Sequence, residues 1–453
     1  MFKPPVRYAK SGDVHIAYQL FGKGRINIVL TPGSISHLDY MWKEPGYRRF
    51  LEGLAEFAKV VLFDKRGTGL SDRQAGVPTY ADRMDDIRAV MDAAQFDNAV
   101  LFGVSEGVPM SILFAASYPS RTKGLILYGG EAKGSWSPDY PWVERREEQE
   151  ARLEWIERLW GTRERAERAV SVLAPSRIGD EKFIRWVWEI LRMGSTPGAL
   201  IALAKSDINM DVRHVLPTIR IPTLVIHLRD DKNVNIEEGR YIAKHIPGAK
   251  MVELEGTDHY FFVDSKLNER ILSEAREFML NIGSAAPVDR MLATVLFTDI
   301  VGSTSKAADL GDARWMELLE RHDRIVREEV QKNRGVVIKS TGDGFLATFD
   351  GPTRALRCVC SIRESLNGLG IQIRAGLHTG ECIFSEFDVG GIAVHIASRI
   401  MNLASPNEIL VSSTVRDLVY GSGISFEDKG EHELKGIEEK KSLFSVLQFN
   451  RAT

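Results

Sequence analysis

Short continuous apolar runs alternate with helix-period stretches over the first 280 residues. The runs are INIVL (26–30), KVVLF (59–63), NAVLF (98–102), GLILY (124–128), PTLVIH (222–227) and KMVEL (250–254). Runs of about five apolar, often β-branched residues predict strands buried on both faces, as in a parallel sheet. Parallel strands need crossover helices, so a doubly wound α/β layer is expected over 1–280. Residues 135–215 interrupt the alternation with a Trp-, Arg- and Glu-rich segment. There Phe183, Trp186, Val187, Ile190 and Leu191 fall on one helical face, which predicts a helical cap. The small, polar, Pro-containing stretch NIGSAAPVDR (281–290) reads as a linker. A second pattern begins at MLATVLFTDI and fills 291–453. Its strand-like segments are GVVIK, GFLATF, IQIRAGLHTG and EILVS, and its helical stretches are 311–332, 352–368 and 391–403.

Composition narrows the function classes. The 453 residues carry 59 basic and 62 acidic side chains, a net charge of −3. That balance argues against a general nucleic-acid binder but leaves room for a small polyanionic ligand. No stretch approaches the roughly 18 apolar residues of a membrane span. The first residues, MFKPPVRYAK, lack the apolar run of a secretory signal, so a cytoplasmic location is expected. Cys358, Cys360 and Cys382 show no metal-binding spacing and read as reduced, buried thiols.

Two chemistries emerge from the motifs. Residues 103–107 read GVSEG, directly after the strand NAVLF and before the helical VPMSILFAASYP. A strand–turn–helix of this kind presents Ser105 at the carboxyl end of the sheet, flanked by glycines that leave it room. A tight Gly-rich turn would read the same way, so the chain order matters. Asp230 and Asp231 follow the strand PTLVIH, and His259 lies in the loop after KMVEL. Serine, acid and histidine thus come in the order that gives a nucleophile, an orienting carboxylate and a general base. With FDKRGTGLSD (63–72) and YADRMDDIRAV (80–90), these motifs make residues 10–280 resemble the α/β-hydrolase family. The resemblance implies Asp231 rather than Asp230 as the acid. It also implies an oxyanion hole from the backbone N–H groups of Glu106 and Ser34. Many relatives have His-Gly where this chain has Pro32-Gly33, and a charged Glu106 after the nucleophile hints at unusual substrate tuning.

In the second half, FTDIVGST (297–304) ends an apolar strand on Asp299, and KSTGDGFLATF (339–349) puts Asp343 in a Gly-flanked turn. Two carboxylates at two strand ends suit hard divalent ions that bridge phosphate oxygens. Residues 291–448 resemble the class III adenylate/guanylate cyclase catalytic domain. The expected fold is therefore α/β plus α+β, an α/β-hydrolase fold with a helical cap followed by a ferredoxin-like cyclase domain. The resemblance implies that Asp299, Asp343 and the carbonyl of Ile300 hold two divalent cations, Mg²⁺ or Mn²⁺. It implies that Lys339 and Asp388 read adenine, that Arg399 steadies the α-phosphate and that Lys435 meets the terminal phosphates. The family's usual asparagine four residues before the arginine is His395 here. The expected reaction is conversion of ATP to cyclic AMP and pyrophosphate by a head-to-tail homodimer. In it the N-terminal domain senses a small molecule or cleaves an ester. A chain that is chiefly a serine esterase or lipase with a weakened cyclase is the alternative.

Overall fold

In the computed structural model the described residues are 3–73, 77–282, 290–340, 342–385 and 388–449. The chain divides into two compact units, Met1–Val288 and Asp289–Thr453. Of the expected linker 281–290, residues 283–289 lie outside the described residues.

The first unit is built on an eight-stranded sheet. Its strands are β1 (Arg7–Ser11), β2 (Val14–Phe21), β3 (Ile26–Thr31), β4 (Ala58–Phe63), β5 (Ala99–Val104), β6 (Thr122–Tyr128), β7 (Thr223–Leu228) and β8 (Lys250–Leu254). They lie in the order β1-β2-β4-β3-β5-β6-β7-β8. The six apolar runs form β3 to β8, and these pair in parallel. The purely parallel expectation needs a correction at one edge, where β1 and β2 are antiparallel and β2 pairs antiparallel with β4. A turn through Gly12, at φ +61°, joins them. Polar residues interrupt this stretch, as in VHIAYQLF, so it lacks the continuous apolar run that marks a doubly covered strand.

Between β6 and β7 the chain forms helices Arg146–Arg158, Arg163–Leu173, Glu181–Gly194 and Pro197–Ile208. The third buries Phe183, Ile184, Trp186, Val187, Ile190 and Leu191 in the main core. Asp180 caps it, its carboxylate accepting from the N–H groups of Lys182 and Phe183 at 3.0 Å each.

The second unit holds β9 (Arg290–Ile300), β10 (Val336–Ser340), β11 (Gly344–Phe349), β12 (Ile373–Phe384), β13 (Val389–Gly390), β14 (Ile409–Ser412), β15 (Ile424–His432) and β16 (Lys441–Phe449). Their order is β10-β11-β9-β12-β14-β16-β15, with β13 on β12. Even positions of β9, Leu296 and Ile300, join the core under helices Asp312–Lys332 and Pro352–Asn367. Odd positions, Ala293 and Val295, face helix Ile392–Leu403 through Ala393 and Ala397. That helix packs so closely on β12 that a Cβ at Gly376 would stand 2.2 Å from the backbone nitrogen of Met401. All three cysteines are buried and free.

Candidate functional sites

In the first unit Ser105 sits between β5 and helix Gly107–Ser117 with φ +52°, a strained value for a residue with a side chain. Its glycine neighbours are forced by contact. A Cβ on Gly107 would lie 2.3 Å from the carbonyl oxygen of Thr31, and one on Gly103 would lie 2.8 Å from that of Gly107. The backbone N–H of Ser105 donates to Tyr128 O at 2.9 Å. The loop after β3 lies against the serine, since a Cβ on Gly33 would be 3.4 Å from Ser105 Cβ. Ser34, next in that loop, is exposed.

His259 and Asp231 are joined. Nδ1 of the imidazole meets Oδ2 of Asp231 at 2.8 Å, with both side chains buried. Asp230 instead points to solvent. Burial works against the Asp231 charge, but the His259 interaction and the Asn233 N–H outweigh it and hold the carboxyl below its ordinary range. Tyr128 donates its hydroxyl to the carbonyl of His259 at 3.2 Å, so the end of β6 touches both serine and histidine. Ser105 and His259 are not hydrogen-bonded to each other among the described residues. With Nδ1 engaged by the carboxylate, Nε2 is the nitrogen left for a proton from a nucleophile.

Glu106 does something the sequence does not show. Its carboxylate receives Lys65 Nζ at 2.5 Å and Arg83 Nη1 at 3.0 Å. The same Arg83 nitrogen donates to Asp207 of the cap at 2.8 Å, and Tyr80 adds its hydroxyl at 2.9 Å. Lys65 and Arg83 are each 1% exposed. Burial opposes the Glu106 charge, yet Lys65 and Arg83 prevail and keep it ionised. Burial pushes Asp207 up to about 7 despite Arg83. The charge beside the nucleophile is thus committed to a network that ties the cap to the sheet, which replaces the hint of substrate tuning.

In the second unit β9 lies between β11 and β12. At Asp299 its neighbours are Gly344 on one side and Arg374 on the other. The N–H of Ile300 donates to Asp343 O at 3.1 Å, which brings the turn carrying Asp343 beside Asp299. Burial, with the charge of Asp343, raises the Asp299 carboxyl against the pull of Arg374. Arg374 forks onto Asp299 Oδ2 through Nε at 2.8 Å and Nη2 at 2.6 Å. Sequence reading missed this arginine, because only the strand register reveals that it faces Asp299. The two carboxylates, which offer only oxygen ligands, fit a hard divalent cation. Among the described residues no group of three His, Cys, Asp or Glu side chains gathers there, so solvent, backbone or ligand oxygens would complete the shell.

Lys339 and Asp388 also meet, with Nζ 2.8 and 2.9 Å from the two carboxylate oxygens, on the surface. The Lys339 ammonium, helped by the Val389 N–H, holds the Asp388 carboxyl below its ordinary value. His395 and Arg399 stand one turn apart on helix Ile392–Leu403, His395 exposed and Arg399 half-buried. Neither has an ion-pair partner among the described residues. Lys435 is exposed beyond β15. The structure therefore joins Asp299 with Asp343 and Lys339 with Asp388, and bonds His395, Arg399 and Lys435 to neither pair.

Comparison with known proteins divides the chain in the same way. A family model described as alpha/beta hydrolase fold matches residues 27–266, and one described as adenylate and guanylate cyclase catalytic domain matches 289–448. The protein named "Putative adenylate cyclase 3" of Rhizobium meliloti (strain 1021) is 29% identical over 181 residues. That match takes in 36% of this chain and 30% of the relative's length. The AB hydrolase superfamily protein YisY of Bacillus subtilis (strain 168) is 25% identical over 269 residues, 57% of this chain and 92% of that protein. Among solved structures, the enol-lactonase from Burkholderia xenovorans LB400 aligns with a TM-score of 0.51 at 20% identity. It covers 61% of this chain and all of its own, a likeness of fold. No described helix is long and apolar enough to cross a membrane.

Proposed function

Because the chain belongs to the alpha/beta hydrolase family and carries an adenylate and guanylate cyclase catalytic domain behind that fold, we propose that it is a cytoplasmic enzyme making cyclic AMP from ATP, with its hydrolase-fold unit as sensor or esterase. The observation that carries the nucleotide choice is the Lys339–Asp388 couple. An ammonium and a carboxylate side by side offer one donor and one acceptor. Adenine presents the matching edge, an acceptor at N1 and a donor at its 6-amino group. Guanine presents the opposite pattern.

Asp299 and Asp343, with the carbonyl of Ile300, would hold two divalent cations, Mg²⁺ or Mn²⁺. Bound there, such cations supply positive charge to the triphosphate and acidify the 3′-hydroxyl. The rest falls to the chain. The ribose 3′-oxygen forms a bond to the α-phosphorus, the bond to the β-phosphate bridging oxygen breaks, and pyrophosphate leaves while the 3′-hydroxyl proton goes to solvent. Arg399 faces the charge that develops on the α-phosphate. His395 donates a hydrogen bond there in the place of an amide, and Lys435 meets the terminal phosphates. Among the described residues, helix Ile392–Leu403 bonds to neither the Asp299–Asp343 pair nor the Lys339–Asp388 pair, which supports a head-to-tail homodimer whose sites are completed across it.

In the first unit, Ser105 would be the nucleophile, His259 its base and Asp231 the orienting acid, with Glu106 and Ser34 N–H groups at the oxyanion. The intact Asp231–His259 couple favours retained ester hydrolysis alongside any sensing role. The test is product identity: purified chain given ATP or GTP with Mg²⁺ or Mn²⁺ should yield cyclic AMP far faster than cyclic GMP. Asp388→Ala should erase most of that preference, and equal rates on both nucleotides in the unaltered chain would overturn the purine assignment.

A further inference from the structure

Asp299 stands between two unlike neighbours. On one side is Asp343, and on the other the Arg374 fork, which places two donors on Oδ2 alone at 2.8 and 2.6 Å. The pairing is built into the fold, because Arg374 on β12 lies directly opposite Asp299 on β9. It is only part-buried, the side chains being 35% and 19% exposed. We infer that Arg374 is a resident counter-cation that weakens the binding of a free divalent ion at Asp299 and Asp343, so that the ion is taken up together with the nucleotide triphosphate. This rests on the reading of the two aspartates as metal ligands.

Two effects of Arg374 oppose each other. Its fork fixes the Asp299 side chain, which favours a metal, but immobilising one short side chain is worth at most a few-fold in affinity. Its charge repels the metal. A unit charge and a divalent charge ~5 Å apart repel by about an order of magnitude in Kd even at the dielectric of water. Salt at physiological strength reduces this to about fivefold. Repulsion is the larger effect. A metal–triphosphate complex carries net negative charge and feels no such penalty, so Arg374 discriminates in its favour.

The full-length chain is titrated with Mn²⁺ alone, the free aquo ion being read by electron paramagnetic resonance. Arg374→Gln and Arg374→Met, two neutral replacements, should each bind Mn²⁺ more tightly than the unaltered chain, by about two- to fivefold once the lost positioning is set against the lost repulsion. Arg374→Lys, which keeps the charge, should stay within about twofold of it on the same reasoning. Adding a non-hydrolysable ATP analogue should shrink the difference between neutral variants and the unaltered chain. Unchanged or weaker Mn²⁺ binding in both neutral variants would overturn the counter-cation role. Asp299→Asn separates this from the underlying reading. If it binds Mn²⁺ normally, the metal-ligand assignment itself fails and the inference with it. If it loses Mn²⁺ while the neutral Arg374 variants are no tighter, only the counter-cation role falls.

Discussion

Replacing Glu106 by Ala removes the hydrogen-bonding partner that the Lys65 ammonium, on a side chain 1% exposed, has among the described residues, and one of two carboxylates on Arg83. Breaking a buried ion pair from one side costs about 3–5 kcal/mol, because the remaining charge stays desolvated. Lys65 can escape part of this by losing its proton, toward which burial already drives it. For a domain of this size about 1 kcal/mol moves the midpoint by roughly 2–4 °C, so a fall of about 10 °C is expected. Seven of the eight tryptophans, all but Trp315, lie in the first unit, so tryptophan fluorescence during heating reports mainly on it. The double change Lys65→Met with Glu106→Gln should melt above Glu106→Ala alone, because Lys65 is no longer left uncompensated and Arg83 keeps Asp207. A midpoint for Glu106→Ala within about 2 °C of the unaltered chain would refute the reasoning, since that margin is under 1 kcal/mol.

Further outcomes follow from the two sites. Ser105→Ala should abolish hydrolysis of p-nitrophenyl esters while leaving the melting midpoint and the cyclase rate nearly unchanged; undiminished hydrolysis would remove the serine from the chemistry. Gly107→Ala should destabilise the first unit by about 3 kcal/mol in urea denaturation, because the new Cβ meets the Thr31 carbonyl oxygen at 2.3 Å and backbone must move. His395→Asn should keep or raise the rate of cyclic AMP formation, since an amide also donates a hydrogen bond; a tenfold loss would give the imidazole a role of its own.

The parts of this molecule legible in sequence are those written in local pattern. The apolar runs locate β3 to β8, and the spacing of Phe183, Trp186, Val187, Ile190 and Leu191 locates a cap helix and its buried face. Motif context points to Ser105, Asp231 and His259, and the structure joins the last two. What stayed hidden depends on contacts between distant segments. β1, β2 and the β15–β16 hairpin carry mixed polar and apolar positions, and their pairing supplies what their sequences do not announce. The Lys65–Glu106–Arg83–Asp207 network spans 142 positions from first to last and has no spacing to recognise. Arg374 sits in a strand of otherwise ordinary composition, and only the register with β9 turns it toward Asp299.

The most direct measurement of the central reading mixes two inactive variants. Asp299→Ala lacks the carboxylate proposed to hold a metal, and Arg399→Ala lacks the cation proposed for the α-phosphate. If each site takes its aspartates from one copy and its arginine from the other, both homodimers are dead. In a mixed dimer one site carries both defects and the other carries none. Random pairing makes half the dimers mixed, each with one good site of two, so cyclic AMP formation should recover to about one quarter of the unaltered rate by two-fold symmetry. A mixture that stays inactive after subunit exchange has been demonstrated would contradict a cyclase site shared between two copies of this chain.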